Sequence, residues 1–111
     1  MNLKIKIKNR SFLIKEVKPA KGFEIFRGLM FSNREKSHAL LFNIKSSLHS
    51  LFVFLPFIVL WLDDKNKVLE WKLVKSWKLY INSNSDYSKI LEIPINRRYR
   101  NVVNKITNNL R

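Results

Sequence analysis

The chain has 111 residues, 46% of them hydrophobic, which favours one folded domain and excludes an intrinsically disordered chain. It has no cysteine and two glycines, which excludes disulfide bonds, zinc–thiolate sites, cysteine nucleophiles and glycine-rich phosphate loops. The chain has 22 Lys and Arg but only 8 Asp and Glu, so its formal net charge is +14. This charge favours nucleic acid, an anionic membrane or an acidic protein as partner.

The N-terminal segment predicts a β-hairpin. Lysine alternates with apolar residues over 3–8, which is the period of a half-buried strand with its lysines in water. We expect a turn at Asn9-Arg10 and a returning strand over 11–17. The segment lacks the unbroken apolar run of a signal peptide, and the absence of cysteine fits a reducing compartment. We therefore expect a cytoplasmic protein. The residues that face the core are Leu3, Ile5 and Ile7.

Two short elements are predicted next. Phe23, Phe26 and Met30 have the spacing of one helical face, which predicts a short internal helix that ends near Gly28. A polar loop is expected over 32–37, with His38 in solvent. The apolar residues over 39–44 then predict a short strand.

Residues 46–62 form an uncharged run of 17 residues. A helix that crosses a membrane needs about 20 apolar residues, whereas this run is shorter, opens with Ser-Ser-Leu-His-Ser and contains Pro56. Strands that are covered on both faces have continuous apolar sequences. We therefore expect two buried strands, over 48–55 and 57–62, and no membrane span.

A turn and two more strands are predicted downstream. Asp63 and Asp64 lie in a polar segment over 63–67 and are expected to stabilise a turn. A strand over 68–81 is expected to place Leu69, Trp71 and Leu73 in the core. A final strand is predicted over 89–95. A helix over 68–81 is the alternative, with an apolar stripe at Leu69, Leu73, Trp77 and Tyr80.

The C-terminal segment over 97–111 predicts a basic helix that docks on the sheet through one apolar stripe. The predicted class is α+β, mainly β: a mostly antiparallel domain with one short internal helix and a C-terminal helix. Because no linker or internal repeat interrupts the chain, we expect a single domain over 1–111. The stripe consists of Tyr99, Val102, Val103, Ile106 and Leu110.

Five segments follow one another in a characteristic order: Gly-Leu-Met-Phe at 28–31, Leu-Leu-Phe at 40–42, Leu-His-Ser-Leu-Phe-Val-Phe-Leu-Pro at 48–56, Val-Lys-Ser-Trp at 74–77 and Leu-Glu-Ile-Pro at 91–94. In this order they resemble the conserved domain-of-unknown-function family 192 over nearly the whole chain. The resemblance implies a compact domain with an antiparallel, barrel-like sheet and a small helix. It implies no activity.

The chain departs from that family at two positions. Ile58 stands where many members have an aspartate, so a site built on that carboxylate is not expected here. Asn96 leads into the basic tail, where many members have a glycine-containing turn and another strand.

Three residues are candidates for a small-ligand site or an enzyme cleft. Arg27 can clamp a carboxylate or phosphate, and its alternative role is a structural ion pair, with Glu92 as the partner. His49 can act as an acid or base, and its alternative role is a hydrogen-bonded structural histidine. We expect no metal site, because the two histidines have no nearby carboxylate pattern, and no cofactor. The sequence favours a protein that is not an enzyme, and it indicates no catalytic residue.

The basic tail carries the leading functional hypothesis, a non-enzymatic binding module for a polyanion, with nucleic acid first. The alternatives are the small-ligand binder or enzyme with a cleft near Arg27, His49 and Glu92, and a peripheral membrane protein. A lysine-rich composition without a function would also account for the charge. The candidate polyanion contacts are Arg97, Arg98, Arg100 and Lys105.

Overall fold

A computed structural model describes residues 1–19, 38–42, 57–74 and 86–110. The described elements, in chain order, are β1 (Leu3–Ile7), β2 (Arg10–Ile14), β3 (Lys18–Pro19), β4 (Leu40–Phe42), β5 (Phe57–Leu62), β6 (Val68–Val74), β7 (Lys89–Pro94) and the helix α1 (Arg100–Leu110). The internal helix predicted near Gly28 and the strand predicted over 48–55 lie outside the described residues.

The first two strands form the predicted antiparallel hairpin. Ile5 and Ile7 are buried and Lys4 and Lys6 are exposed, as the alternation predicts. The turn lies at Lys8-Asn9, one residue earlier than predicted, because Arg10 already pairs with Ile7. The backbone of Lys8 has a φ of 56°, in the left-handed region that favours glycine.

Strands β3 to β7 form a second sheet in the order β3-β4-β7-β5-β6. Its pairs are antiparallel except the short parallel pair of β3 with β4. All six residues of β5 are buried, which confirms the strand predicted over 57–62. The hairpin joins this sheet at the backbone, where the N–H of Lys6 donates to the carbonyl of Asn66 at 2.9 Å.

The two faces of the five-stranded sheet carry separate apolar clusters. On the helix side, Leu60 and Leu91 pack against the hairpin and α1. On the far side, Trp61 and Ile90 pack with residues of β4, β5 and Tyr87. Because successive strand residues point to opposite faces, both clusters follow from the unbroken apolar sequence of β5.

The C-terminal helix confirms the predicted apolar stripe. Tyr99, Val103 and Ile106 are buried, and Val102 and Leu110 are partly buried against the same cluster. The side-chain oxygen of Asn96 accepts a hydrogen bond from the backbone N–H of Tyr99 at 3.3 Å. Asparagine favours turns in which its side chain accepts a nearby backbone N–H, so Asn96 stabilises the turn over 97–99 that leads from β7 into the helix.

Strand β6 corrects one prediction. Residues 68–74 form a strand, so the helical alternative is wrong over that range. Leu69 and Leu73, predicted in the core, are 39% and 49% exposed, whereas Trp71 is partly buried against the helix-side cluster. The pairing with β5 shifts at Trp61/Leu62, so Val68 replaces Leu69 opposite the core strand. A bulge on a strand at the edge of the described sheet gives this shift.

The α+β, mainly β class is confirmed, with a C-terminal helix. Over the described ranges, the strands form two sheets that do not close on each other, and barrel closure stays a prediction. Among the described residues, none of the helical segments has the length and hydrophobicity of a membrane span.

Candidate polyanion-binding surface

Basic residues are unevenly distributed over the described fold. Residues 1–19 contain six Lys and Arg and a single acid, Glu16, and residues 97–110 contain four and no acid. Residues 57–74, by contrast, contain three basic and three acidic residues. Among the described residues, the positive charge therefore concentrates on the layer of hairpin and helix that covers one side of the sheet. We call its exposed basic side chains the hairpin–helix surface: Lys4, Lys6, Lys8, Arg10, Lys15, Lys18, Arg97, Arg98, Arg100 and Lys105.

The hairpin presents its lysines in a regular row. Lys4 and Lys6 lie on the outer face of β1, because Ile5 and Ile7 occupy the inner face. Alternate residues of a strand are about 7 Å apart along its axis. Rigid backbone pairing with β2 holds both lysines toward water, where they can meet successive anionic groups of a partner.

The helix presents a second group of cations. Arg100 and Lys105 are exposed, and neither side chain has a hydrogen-bond or ion-pair partner among the residues described. Viewed down the helix axis, the outer face of α1 between these two cations carries exposed amide side chains. They are those of Asn101, Asn104 and Asn108. Because amides both donate and accept hydrogen bonds, this face can contact phosphates and polar base edges alike.

Arg98 joins the two groups of cations. Its guanidinium donates a hydrogen bond to the carboxylate of Glu16, and the two side chains are 30% and 55% exposed. The hydrogen bond from Arg98, together with the charges of Arg98, His38 and the N-terminal amine, holds the pKa of Glu16 below its usual value. Glu16 therefore stays ionised and neutralises part of the surface. Arg97, also exposed, has interactions of its own.

Tyr99 anchors this junction from below. Its hydroxyl donates to the backbone carbonyl of Glu16 at 3.0 Å and accepts the backbone N–H of Ala39 at 2.9 Å. Burial raises the pKa of Tyr99, so the hydroxyl keeps the proton that it donates. One side chain thus ties the start of α1 to the end of the hairpin and to β4.

His38 lies beside the same junction and is half-buried, not solvated as predicted. Burial lowers the pKa of His38, and the positive charges of Arg98 and Lys18 lower it further. Nothing in the sequence indicated that His38, Glu16 and Arg98 come together, since no spacing rule connects residues so far apart in the chain.

The alternative cleft is only partly placed. Arg27 and His49 lie outside the described residues. Glu92 lies on β7 between Leu40 and Val59, on the far side of the sheet, and is 3% exposed. Burial raises the pKa of Glu92 to about 8, so the carboxyl is mostly protonated at pH 7. No described residue forms a hydrogen bond or ion pair with it.

A second buried polar group lies on the same side as Glu92. The indole Nε1 of Trp61 has no hydrogen-bond partner within the described part of the chain. Trp61 pairs with Ile90, and Val59 pairs with Glu92, so Trp61 and Glu92 are diagonal neighbours on adjacent strands. Ile58, on the same strand, points to the opposite side and is fully buried.

The carboxylates of the 63–67 segment have a structural role. Asp63 Oδ1 accepts the backbone N–H groups of Lys65 and Lys67, at 2.9 Å each. Those hydrogen bonds lower the pKa of Asp63, and the bond from Lys67 has the larger effect. This confirms Asp63 as a turn residue. No set of three or more potential metal ligands lies together among residues 1–19, 38–42, 57–74 and 86–110.

The chain is similar to two archaeal proteins over part of its length. It is 36% identical over 61 residues to a UPF0127 protein of Thermococcus kodakarensis and 33% identical over 61 residues to a UPF0127 protein of Thermococcus gammatolerans. Each match covers 50% of this chain, and 38% and 39% of the respective relatives. The matched region is thus well under half of the length of these relatives. No family model matches the chain.

A solved structure has the same fold. The crystal structure of a protein of unknown function from Novosphingobium aromaticivorans superposes with a TM-score of 0.66 at 12% sequence identity. The match covers 92% of this chain and 77% of that protein. At this level of identity the similarity shows the fold alone. The chain therefore resembles an uncharacterised family in sequence and a protein of unknown function in structure.

Proposed function

We propose that the protein is a non-enzymatic binding module whose hairpin–helix surface binds a polyanion, with nucleic acid as the first candidate. The uneven distribution of charge supports this function. A compositional excess of lysine, without a function, is expected to spread over the whole fold, whereas β5, the following turn and β6 together carry equal numbers of acids and bases. A field concentrated on one side attracts an extended anion to that side.

The experiment is a binding titration with a short fluorescent duplex DNA and the matching single strand, repeated between about 50 and 200 mM KCl. Each phosphate contact contributes roughly 0.9 to the slope of log affinity against log salt for duplex DNA, and roughly 0.7 for a single strand. Replacing Lys4 and Lys6 with Gln is expected to flatten the duplex slope by about 1–2 units.

The matched control is the double replacement of Lys65 and Lys72 with Gln. Each double variant removes two positive charges, so the net charge changes equally. Lys65 and Lys72 are exposed as well, but they belong to the part of the fold that carries equal numbers of acids and bases. A loss of slope confined to the Lys4/Lys6 variant supports the proposal. Equal losses in the two variants, or wild-type binding weaker than about 10⁻⁴ M at physiological salt, would leave the charge without a specific function. Anionic vesicles in the same assay test the peripheral membrane alternative.

A small-ligand site on the far side is the second candidate function. The observation in its favour is the buried indole N–H of Trp61, which has no hydrogen-bond partner within the described part of the chain and lies near the buried carboxyl of Glu92. Buried polar groups are rarely left without partners. A small molecule with both a donor and an acceptor, such as an amide, would complement them. A thermal-shift titration with acetamide and acetate tests this candidate, and Glu92→Leu is expected to abolish any stabilisation by the ligand.

We also propose that the chain belongs to the domain-of-unknown-function family 192 and that its sheet closes in a barrel-like way. The described part of the sequence pattern supports the family assignment. Leu-Leu-Phe at 40–42 and Leu-Glu-Ile-Pro at 91–94 lie on adjacent strands, with Leu41 opposite Leu91. A cytoplasmic location is also proposed, and the cysteine-free composition supports it.

A further inference from the structure

We infer that Arg98 is the central phosphate-contacting residue of the hairpin–helix surface, and that the carboxylate of Glu16 occupies its guanidinium until a phosphate group of the partner replaces it. This inference rests on the proposed polyanion binding. It adds a defined anion site and a residue that limits the affinity of that site.

The geometry of the pair carries the inference. The guanidinium of Arg98 holds the Glu16 carboxylate while both side chains remain open to solvent, at 30% and 55% exposure. A guanidinium presents a planar fork of N–H donors that fits a carboxylate and a phosphate equally well. The position that Glu16 fills is therefore an anion position that a phosphate oxygen can reach from water.

The surroundings of the pair favour an anion. Glu16 is the single acid in residues 1–19 and 97–110, where ten Lys and Arg lie. The backbone N–H of Lys18 donates to the carbonyl of Ala39 at 2.8 Å, and the N–H of Ala39 donates to the Tyr99 hydroxyl at 2.9 Å. These hydrogen bonds bring Lys18 and His38, the neighbours of that joint in the chain, to the same junction as the Arg98–Glu16 pair. One carboxylate thus lies within a group of cations, all near the joint between hairpin and helix.

Glu16 is also held in place from the backbone side. Its φ is 55°, in the left-handed region, and its carbonyl accepts the Tyr99 hydroxyl at 3.0 Å. Tyr99 adjoins Arg98 in sequence, so the hydrogen bond that fixes the Glu16 backbone also fixes the start of the helix. The backbone of Glu16 is therefore fixed beside the helix, which keeps the carboxylate within reach of Arg98. The side chain itself is exposed, so it can move aside for a phosphate.

The test is the binding titration described above, with Glu16→Gln. Removing the carboxylate charge frees Arg98 for a phosphate, so the variant is expected to bind the duplex about two- to fivefold more tightly, the range typical of an exposed charge pair. Its salt slope is expected to stay near the wild-type value, because Arg98 contacts a phosphate in both complexes and only the cost of displacing the carboxylate is removed. Adding Arg98→Gln is expected to abolish the gain in affinity and to flatten the slope by roughly 0.9.

Glu70→Gln is the matched control. It removes the same charge from β6, where Glu70 pairs with Trp61 on the far side of the sheet. If Glu16→Gln and Glu70→Gln behave alike, net charge alone explains the effect and the inference is wrong, while the proposed function stands. If the wild-type protein does not bind, the proposed function itself fails. Glu16→Asn serves as a second variant, because asparagine tolerates a positive φ and keeps this position foldable.

Discussion

The hydroxyl of Tyr99 donates a hydrogen bond to the backbone carbonyl of Glu16, 83 positions earlier in the chain, at 3.0 Å. The same oxygen accepts the backbone N–H of Ala39, 60 positions away, at 2.9 Å. A buried side chain thus satisfies two backbone groups that have no strand partner at this point. Because the three segments meet at one atom, the hydrogen bonds couple the docking of the helix to the geometry of the proposed anion site.

Tyr99→Phe tests this coupling. The ring still fills its buried position, but the N–H of Ala39 and the carbonyl of Glu16 lose their partner. Leaving buried polar groups unpaired costs about 1–3 kcal/mol, so the free energy of unfolding is expected to fall by that amount. Urea denaturation followed by circular dichroism measures it. A change below about 0.5 kcal/mol would mean that water replaces the hydroxyl at no cost.

Glu92→Gln is expected to stabilise the protein at alkaline pH. The pKa of Glu92 is raised by burial from 4.5 to about 8, so the unfolded chain loses this proton well before the folded protein does. Folding stability therefore falls as pH rises between about 4.5 and 8, by an amount on the order of 5 kcal/mol. Glutamine cannot ionise and avoids this loss.

The measurement for Glu92 is the unfolding free energy of wild type and variant from pH 4 to pH 9. The variant's advantage is expected to be absent near pH 4 and to reach its maximum above about pH 8. Asp64→Asn, which alters an exposed turn carboxylate, is the control and should change stability by less than about 0.5 kcal/mol throughout. Parallel profiles for wild type and Glu92→Gln would show that Glu92 is ionised in the folded protein.

Local patterns predict β1, β5 and the C-terminal helix well. The alternation of isoleucine and lysine in β1 and the apolar stripe of α1 each identify a buried face, and the uncharged run of β5 identifies a strand that is covered on both faces, because these patterns lie within single elements. The bulge at Leu69 was missed, because it depends on how β6 pairs with β5 and not on β6 alone. Glu16, His38 and Arg98 were missed as a cluster for the same reason. Their proximity is a product of the tertiary fold.

Trp71→Ala is expected to destabilise the protein by about 2 kcal/mol, less than the 3–5 kcal/mol typical of a fully buried aromatic residue. Trp71 is only partly buried, on the outermost described strand of the sheet. Leu73→Ala, at a position that is 49% exposed on the same strand, is the control and should have a smaller effect. Thermal unfolding compares the two. A Trp71 effect no larger than that of Leu73 would show that Trp71 does not contribute to the core.

Replacing Arg100 and Lys105 with Gln tests whether the helix shares the proposed binding function with the hairpin. Both side chains are exposed on α1 and lie away from the buried stripe of Val103 and Ile106, so the fold should be unaffected. If both side chains contact phosphates of a duplex, the slope of log affinity against log salt flattens by about 1–2 units, and affinity falls equally for every DNA sequence. Arg100 and Lys105 are five positions apart, so their side chains point about 140° apart around the helix axis. A partner that contacts both must therefore wrap around the helix. A loss near 1 unit would then assign one of the two residues to the interface, and single replacements would identify it. An unchanged slope would confine the binding surface to the hairpin and the Arg98 junction.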